Sequence, residues 1–163
     1  MNCRFTLAVH ILGMLAWVER ERRGSLTSGE LAHSINTNAV VVRRILGDLR
    51  RAGLVETKRG VGGGVSLGRE AKHITLRHAY EAIEAPGPLL ARYPSAPNPT
   101  CSVGPLLATW LDEAFGRAEE SLKASLERVT IDRMVDDLAE RARAHRAPPE
   151  RMPVTPSRAR ISD

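Results

Sequence analysis

A chain of 163 residues, 42% apolar, 26% charged and only 4% aromatic, is long enough for one domain with appendages and apolar enough to bury a core, but has few rings to stack on bases or sugars. No run of 18 apolar residues occurs and the N-terminal stretch mixes polar and charged residues with apolar ones, which excludes a membrane span and a secretory signal and makes the cytoplasm the expected location. The net charge of +5 is uneven: residues 1–70 carry 11 basic and 6 acidic side chains, residues 105–145 carry 6 and 9, so the first half suits a polyanion and the second something else.

Residues 5–18 are almost continuously apolar, with Ala8, Ile11, Leu12 and Leu15 at helical spacing, and predict a buried helix. After Gly24, Thr27-Ser28-Gly29-Glu30 has the form of a capping box opening a short helix to about Ser34, with Leu26 placed to staple against Leu31. Thr37 is expected to cap the next helix, whose Val42, Ile45, Leu46 and Leu49 fall at i, i+3, i+4 and i+7 and which ends at Gly53. Two short helices so closely spaced form a helix-turn-helix pattern. Leu54 to Lys58, the glycine cluster from Gly60 to Gly64 and Val65 to Leu67 predict a hairpin, or wing, whose loop needs positive φ. Thr75 is placed to cap a helix with Leu76, Ala79, Tyr80 and Ile83 facing inward.

The fold class expected is therefore mainly α: a winged helix-turn-helix domain over residues 1–84, a proline-rich connector and possible sensor loop over 85–104, dimerisation helices over 105–145, and a disordered tail over 146–163. From about Pro105 to Arg128 a single helix of roughly 24 residues would be about 36 Å long. Its stripe of Leu107, Leu111, Ala114, Ala118, Leu122 and Leu126 needs a partner, and a second copy of the same helix is the simplest one, giving a homodimer. Thr130 is placed to cap a last helix carrying Ile131, Met134, Val135 and Leu138.

With Val42, Ile45, Leu46 and Leu49 inward, a 100° step puts Val40, Arg44, Gly47 and Arg51 outward, flanked by Val41 and Arg43. The N-terminal part of the second helix meets base edges in such motifs, which nominates Asn38, Val40, Val41, Arg43 and Arg44 for reading double-stranded DNA. Lys58 and Arg59 at the approach to the wing suit phosphate or a minor groove, and Ser28 at a helix start suits phosphate. A solvated basic face is the plainer account of the arginines, and simple capping that of Ser28. The glycine cluster lacks the Gly-Lys-Ser/Thr ending of a nucleotide-binding loop and is a turn.

These residues resemble the Rrf2 family of bacterial winged-helix transcriptional regulators over about residues 1–140. The carriers are Arg4-Phe5 through Leu12, Thr27 through Ala32, Asn36-Thr37-Asn38, Val42 through Leu46 and, most specifically, Leu49-Arg50-Arg51-Ala52-Gly53-Leu54-Val55 followed by Arg59-Gly60-Val61-Gly62-Gly63-Gly64. The resemblance implies a homodimer joined through the long helix, a pseudo-palindromic operator, and repression more often than activation; the family's base-reading positions fall on Asn38, Val40, Val41 and Arg43, and its wing arginine on Arg59. Well-known members hold an iron–sulfur cluster on three cysteines before the long helix. Here Cys101 stands alone in that loop, with Gly104 at the place of an added histidine ligand, so no cluster or other cofactor is expected.

Cys101, at the start of the long helix, has the position of a low-pKa thiol and is a candidate sensor; a small buried hydrophobe is the alternative. The two cysteines, Cys3 and Cys101, are too few for a disulfide framework, and the five histidines form no metal pattern. Two other function classes remain open to the sequence: a winged-helix module whose basic helix meets an acidic protein, and a thiol enzyme. The second lacks a histidine or carboxylate near Cys101 in sequence, and a non-enzymatic regulator is the reading preferred.

Overall fold

The computed structural model describes residues 3–21, 24–58, 60, 63–83, 90 and 93–146. Its elements are α1 (Arg4–Arg20), α2 (Ser28–Ile35), α3 (Ala39–Arg51), β1 (Val55–Lys58), β2 (Gly64–Leu67), a single 3-10 turn (Ala71–His73), α4 (Leu76–Ile83), α5 (Gly104–Glu127) and α6 (Ile131–Arg146). The fold is mainly helical, and among the described residues no helix is long and apolar enough to cross a membrane. Arg59, and the tail from residue 147, lie outside the described residues.

The apolar run of α1 is the spine of the core. Ala8, Ile11, Leu12, Leu15 and Ala16 are buried along it, and Leu31 of α2, Val42, Ile45 and Leu49 of α3, Val65 of β2 and Ala79 of α4 close around them. Ile131 and Val135 of α6 join the same cluster, so the last helix packs back on α1. Gly13 makes that crossing close: a Cβ there would lie 2.6 Å from Met134 Cε.

Local chemistry sets the joints. In the Thr27 capping box the hydroxyl accepts the Glu30 N–H at 3.2 Å while the Glu30 carboxylate accepts the Thr27 N–H at 2.7 Å. Asn36 turns the chain out of α2 with φ 55°, a left-handed conformation asparagine tolerates. Asn38 rather than Thr37 caps α3: its backbone is extended and its side-chain oxygen accepts the Val40 N–H at 2.7 Å. Gly53, at φ 68°, closes α3 with Leu54 N–H bonded to the Leu49 carbonyl at 2.9 Å.

The two strands pair antiparallel with Val55 opposite Leu67 and Lys58 opposite Gly64, and Leu26 adds one bridge to Val65 on the other side. Thr75 caps α4 through its hydroxyl, which accepts the His78 N–H at 3.3 Å, and Thr130 accepts the Arg133 N–H at 3.2 Å to open α6. These two segments meet: Leu76 N–H bonds the Val129 carbonyl at 2.9 Å and Ile131 N–H the Ile74 carbonyl at 2.8 Å, tying the end of α5 to the winged domain.

Candidate nucleic-acid interface

Helix α3 is amphipathic in the sense its sequence implies. Val42, Ile45, Leu46 and Leu49 are buried, while Asn38, Val40, Arg43, Arg44, Arg50 and Arg51 are exposed, Val40 to 47%. Two of the nominated base readers are more constrained than their positions in the sequence suggest. Val41 is half-buried against the core, and the Asn38 side-chain oxygen is committed to its capping bond, which leaves only the amide NH2 to reach outward.

The outer arginines fall on two edges. On one, Arg51 pairs with Asp48, whose other carboxylate oxygen pairs with Arg4 at the start of α1; the Asp48 side chain is 15% exposed. Arg4 also reaches the Ile83 carbonyl, so this network binds the ends of α1, α3 and α4 together. On the other edge Arg43, Gly47 and Arg50 face the hairpin across an open cleft of about 390 Å³. Thr27, Ser28, Thr57, Lys58, Gly63 and Gly64 line the remainder. Among the described residues, three cations and no carboxylate line that cleft. Glu30, in the capping box beside Thr27 and Ser28, has its carboxyl held below the usual range by hydrogen bonds from the Thr27 backbone and hydroxyl. Sequence reasoning named Ser28, Arg43 and Lys58 but not Arg50, although Arg50 is seven residues, two turns, beyond Arg43.

The long helix presents the second candidate surface. Helix α5 has no fully buried residue. Its Leu111, Ala114 and Leu126 are half-buried, with α4 packed on part of the helix, whereas Leu107 is 43% and Leu122 36% exposed and Ala118 is exposed. At its N-terminal end Val103, Leu106 and Trp110 are 62%, 72% and 60% exposed. The 107–126 stripe leaves these three out: Leu106 and Trp110 lie one position before Leu107 and Leu111, and Val103 lies one turn before Leu107, ahead of the first helical residue.

Cys101 is exposed just before α5, and its sulfur accepts the Gly104 N–H at 3.3 Å. The N–H groups of Val103 and Gly104 hold the thiol below its ordinary range. Cys3, the second thiol, is at the other end of the chain and also exposed. Among the described residues no three His, Cys, Asp or Glu side chains come together to hold a metal. Cys101 is the one cysteine of the loop before α5, a single thiolate where an iron–sulfur cluster takes several donors.

Residues 1–137 match the family model described as Rrf2, iron-dependent transcriptional regulator. YwnA of Bacillus subtilis (strain 168), whose name assigns it to the HTH-type transcriptional regulators, is 35% identical over 127 residues, 77% of this chain and 90% of YwnA. Among solved structures, T. potens IscR superposes with a TM-score of 0.66 at 20% identity, covering 86% of this chain and 89% of that one. CymR (YrzC), titled the global cysteine regulator of B. subtilis, superposes at 0.63 and 21% identity, covering 83% and 95%. At these identities the two structures speak for the fold.

Proposed function

The chain belongs to the Rrf2 family of DNA-binding transcriptional regulators and is not an enzyme, and from that premise we propose that it acts as a homodimer that reads a pseudo-palindromic operator and represses. The observation that carries this reading is the outward arginine edge of α3 beside a cleft whose charged lining, among the described residues, is cationic. Arg43 and Arg44 are long enough to fork onto guanine edges and Val40 has a free methyl face for thymine, while Ser28, Lys58 and Arg59 serve phosphate. Dimerisation is assigned to the exposed apolar side of α5, because an apolar helix face of this extent gains by being covered. No cluster is part of this reading, because Cys101 is the one cysteine of the loop before α5 and a cluster takes several thiolates or their equivalents. We assign Cys101 the sensing role: its exposed, low-pKa thiol abuts the surface given to the dimer contact, so its oxidation or alkylation alters the spacing of the two reading heads.

The test is equilibrium binding of the full chain to duplex DNA at two salt concentrations. A steep fall in affinity with salt is expected from phosphate contacts. Absence of any binding at low salt would remove the DNA reading and favour the alternative, a basic helix that meets an acidic protein.

A further inference from the structure

The joint between α5 and the winged domain is fastened by a histidine. Thr75, 8% exposed, opens α4 and is bridged to Thr130 ahead of α6. The hydrogen bonds of that bridge come from its neighbours, Leu76 N–H to the Val129 carbonyl and Ile131 N–H to the Ile74 carbonyl. The Thr75 N–H donates elsewhere, to His78 Nδ1 at 3.0 Å, while the His78 N–H donates back to the Thr75 hydroxyl at 3.3 Å. This is a capping box with an imidazole nitrogen where a Glu or Gln oxygen usually stands. The same hydroxyl lies 3.3 Å from Glu127 Oε2, on the last residue of α5.

A backbone N–H cannot give up its donor role, so Nδ1 is the bare nitrogen and the ring proton sits on Nε2. A second proton on the ring sets two donors face to face. Nδ1–H can then turn to the Thr75 hydroxyl, 2.9 Å away, but the Thr75 N–H loses its acceptor in a place nearly closed to water. Glu127 attracts an imidazolium, yet it is already shared with the Thr75 hydroxyl and, at 3.9 Å, with Arg77. Arg77 also pairs with Glu81 at 2.7 Å, and Glu120 and Lys123 of α5 act on it from further away. Lys72 of the 3-10 turn pairs with Glu70, with His73 and Asp132 acting on that pair, and Arg4 of α1 and Asp48 of α3 stand at the far end of α4.

We propose that His78 is a positioning residue for DNA binding: its neutral imidazole locks the winged domain onto the end of α5, and protonation opens the lock and lowers the affinity of the dimer for its site. This rests on the DNA and dimer readings above and adds acidity as a signal. With the lock open the two heads are no longer held at one separation, and binding is weakened by the fraction of molecules that hold the competent one.

The experiment measures affinity for a duplex selected by the full chain from a random library, from about pH 8 to about pH 5.5, the range in which histidine changes charge. Parent, His78→Gln and His78→Ala are compared, with helicity followed at both ends. Gln supplies a capping-box acceptor that does not titrate, and the Gln variant keeps the other four histidines as the background. Relative to that background the parent is expected to lose about fivefold or more in affinity at the acid end, while His78→Ala binds weakly throughout. A 1H–15N spectrum of the parent imidazoles at about pH 8, assigned by the signals missing in His78→Gln, is expected to place the His78 proton on Nε2. Parallel pH profiles for parent and His78→Gln, or a His78 proton on Nδ1, would overturn the lock and leave the DNA reading in place. A parent chain that selects no duplex and binds none at any pH would overturn both.

Discussion

Two glycines in the reading head carry opposite expectations when a single methyl is added. At Gly64 an added Cβ would lie 2.4 Å from Ser25 Oγ and 2.8 Å from Ser25 Cβ, closer than such atoms pack, and a tight 3.1 Å from the Leu26 carbonyl oxygen. Ser25 and Leu26 cannot simply yield, because Leu26 is pinned to Val65 by two backbone hydrogen bonds of 3.1 and 2.7 Å. Gly64→Ala therefore either strains the strand or breaks that bridge. Overpacking costs about 1 to 3 kcal/mol and each lost hydrogen bond about 1 kcal/mol, so a loss of about 2 kcal/mol is expected. At Gly47, inside α3, an added Cβ meets nothing within 4 Å, so Gly47→Ala removes only the entropic penalty of helical glycine and gains about 0.5 to 1 kcal/mol. Urea unfolding followed by circular dichroism measures both. Because Gly64 is the register partner of Lys58, Gly64→Ala is also expected to weaken DNA binding at temperatures where the variant remains folded. Equal stability of Gly64→Ala and parent, or destabilisation by Gly47→Ala, would refute the packing argument.

Three further outcomes follow from the interfaces. Arg43→Ala is expected to cost about 1 to 3 kcal/mol on the cognate site and to relax preference at one base pair, measured by competition with single-base variants of that site; equal losses on cognate and random duplex would make Arg43 a phosphate contact only. Trp110→Asp, placing a charge in the exposed apolar end of α5, is expected to shift the sedimentation mass toward monomer at micromolar concentration with helicity unchanged, and an unaltered dimer would move the contact elsewhere. Alkylation of Cys101, followed by mass spectrometry against pH, is expected to reach its half-maximal rate below the ordinary thiol value of about 8.5, because a lowered pKa keeps the thiolate as pH falls; a midpoint at or above that value would contradict the hydrogen bonds assigned to its sulfur.

Much of this architecture is legible in the residues because local and global preferences agree. The i, i+3, i+4, i+7 series of α3, the reciprocal capping pair at Thr27 and Glu30, and the glycine-rich hairpin each permit one local conformation and lead to the same domain. What periodicity could not supply is partnership between distant segments. Nothing local in Ile131 or Val135 says that they close the core over α1, and nothing in Asp48 says that it pairs with Arg4, 44 residues away, as well as with Arg51 on its own helix. Thr37 and Asn38 are both competent caps, and only the extended backbone at Asn38 chooses between them. Arg50 was hidden because a helical wheel centred on the core places it at the side, and its importance comes from a hairpin wall that only the folded chain brings opposite.

The most direct test is selection of bound fragments from a fully random duplex library by the purified chain, followed by sequencing. Two symmetry-related α3 helices on one duplex predict an enriched inverted repeat whose half-sites are about one helical turn, or a multiple of it, apart. Recovery of fragments with no shared sequence, or of a single half-site without symmetry, would contradict the account.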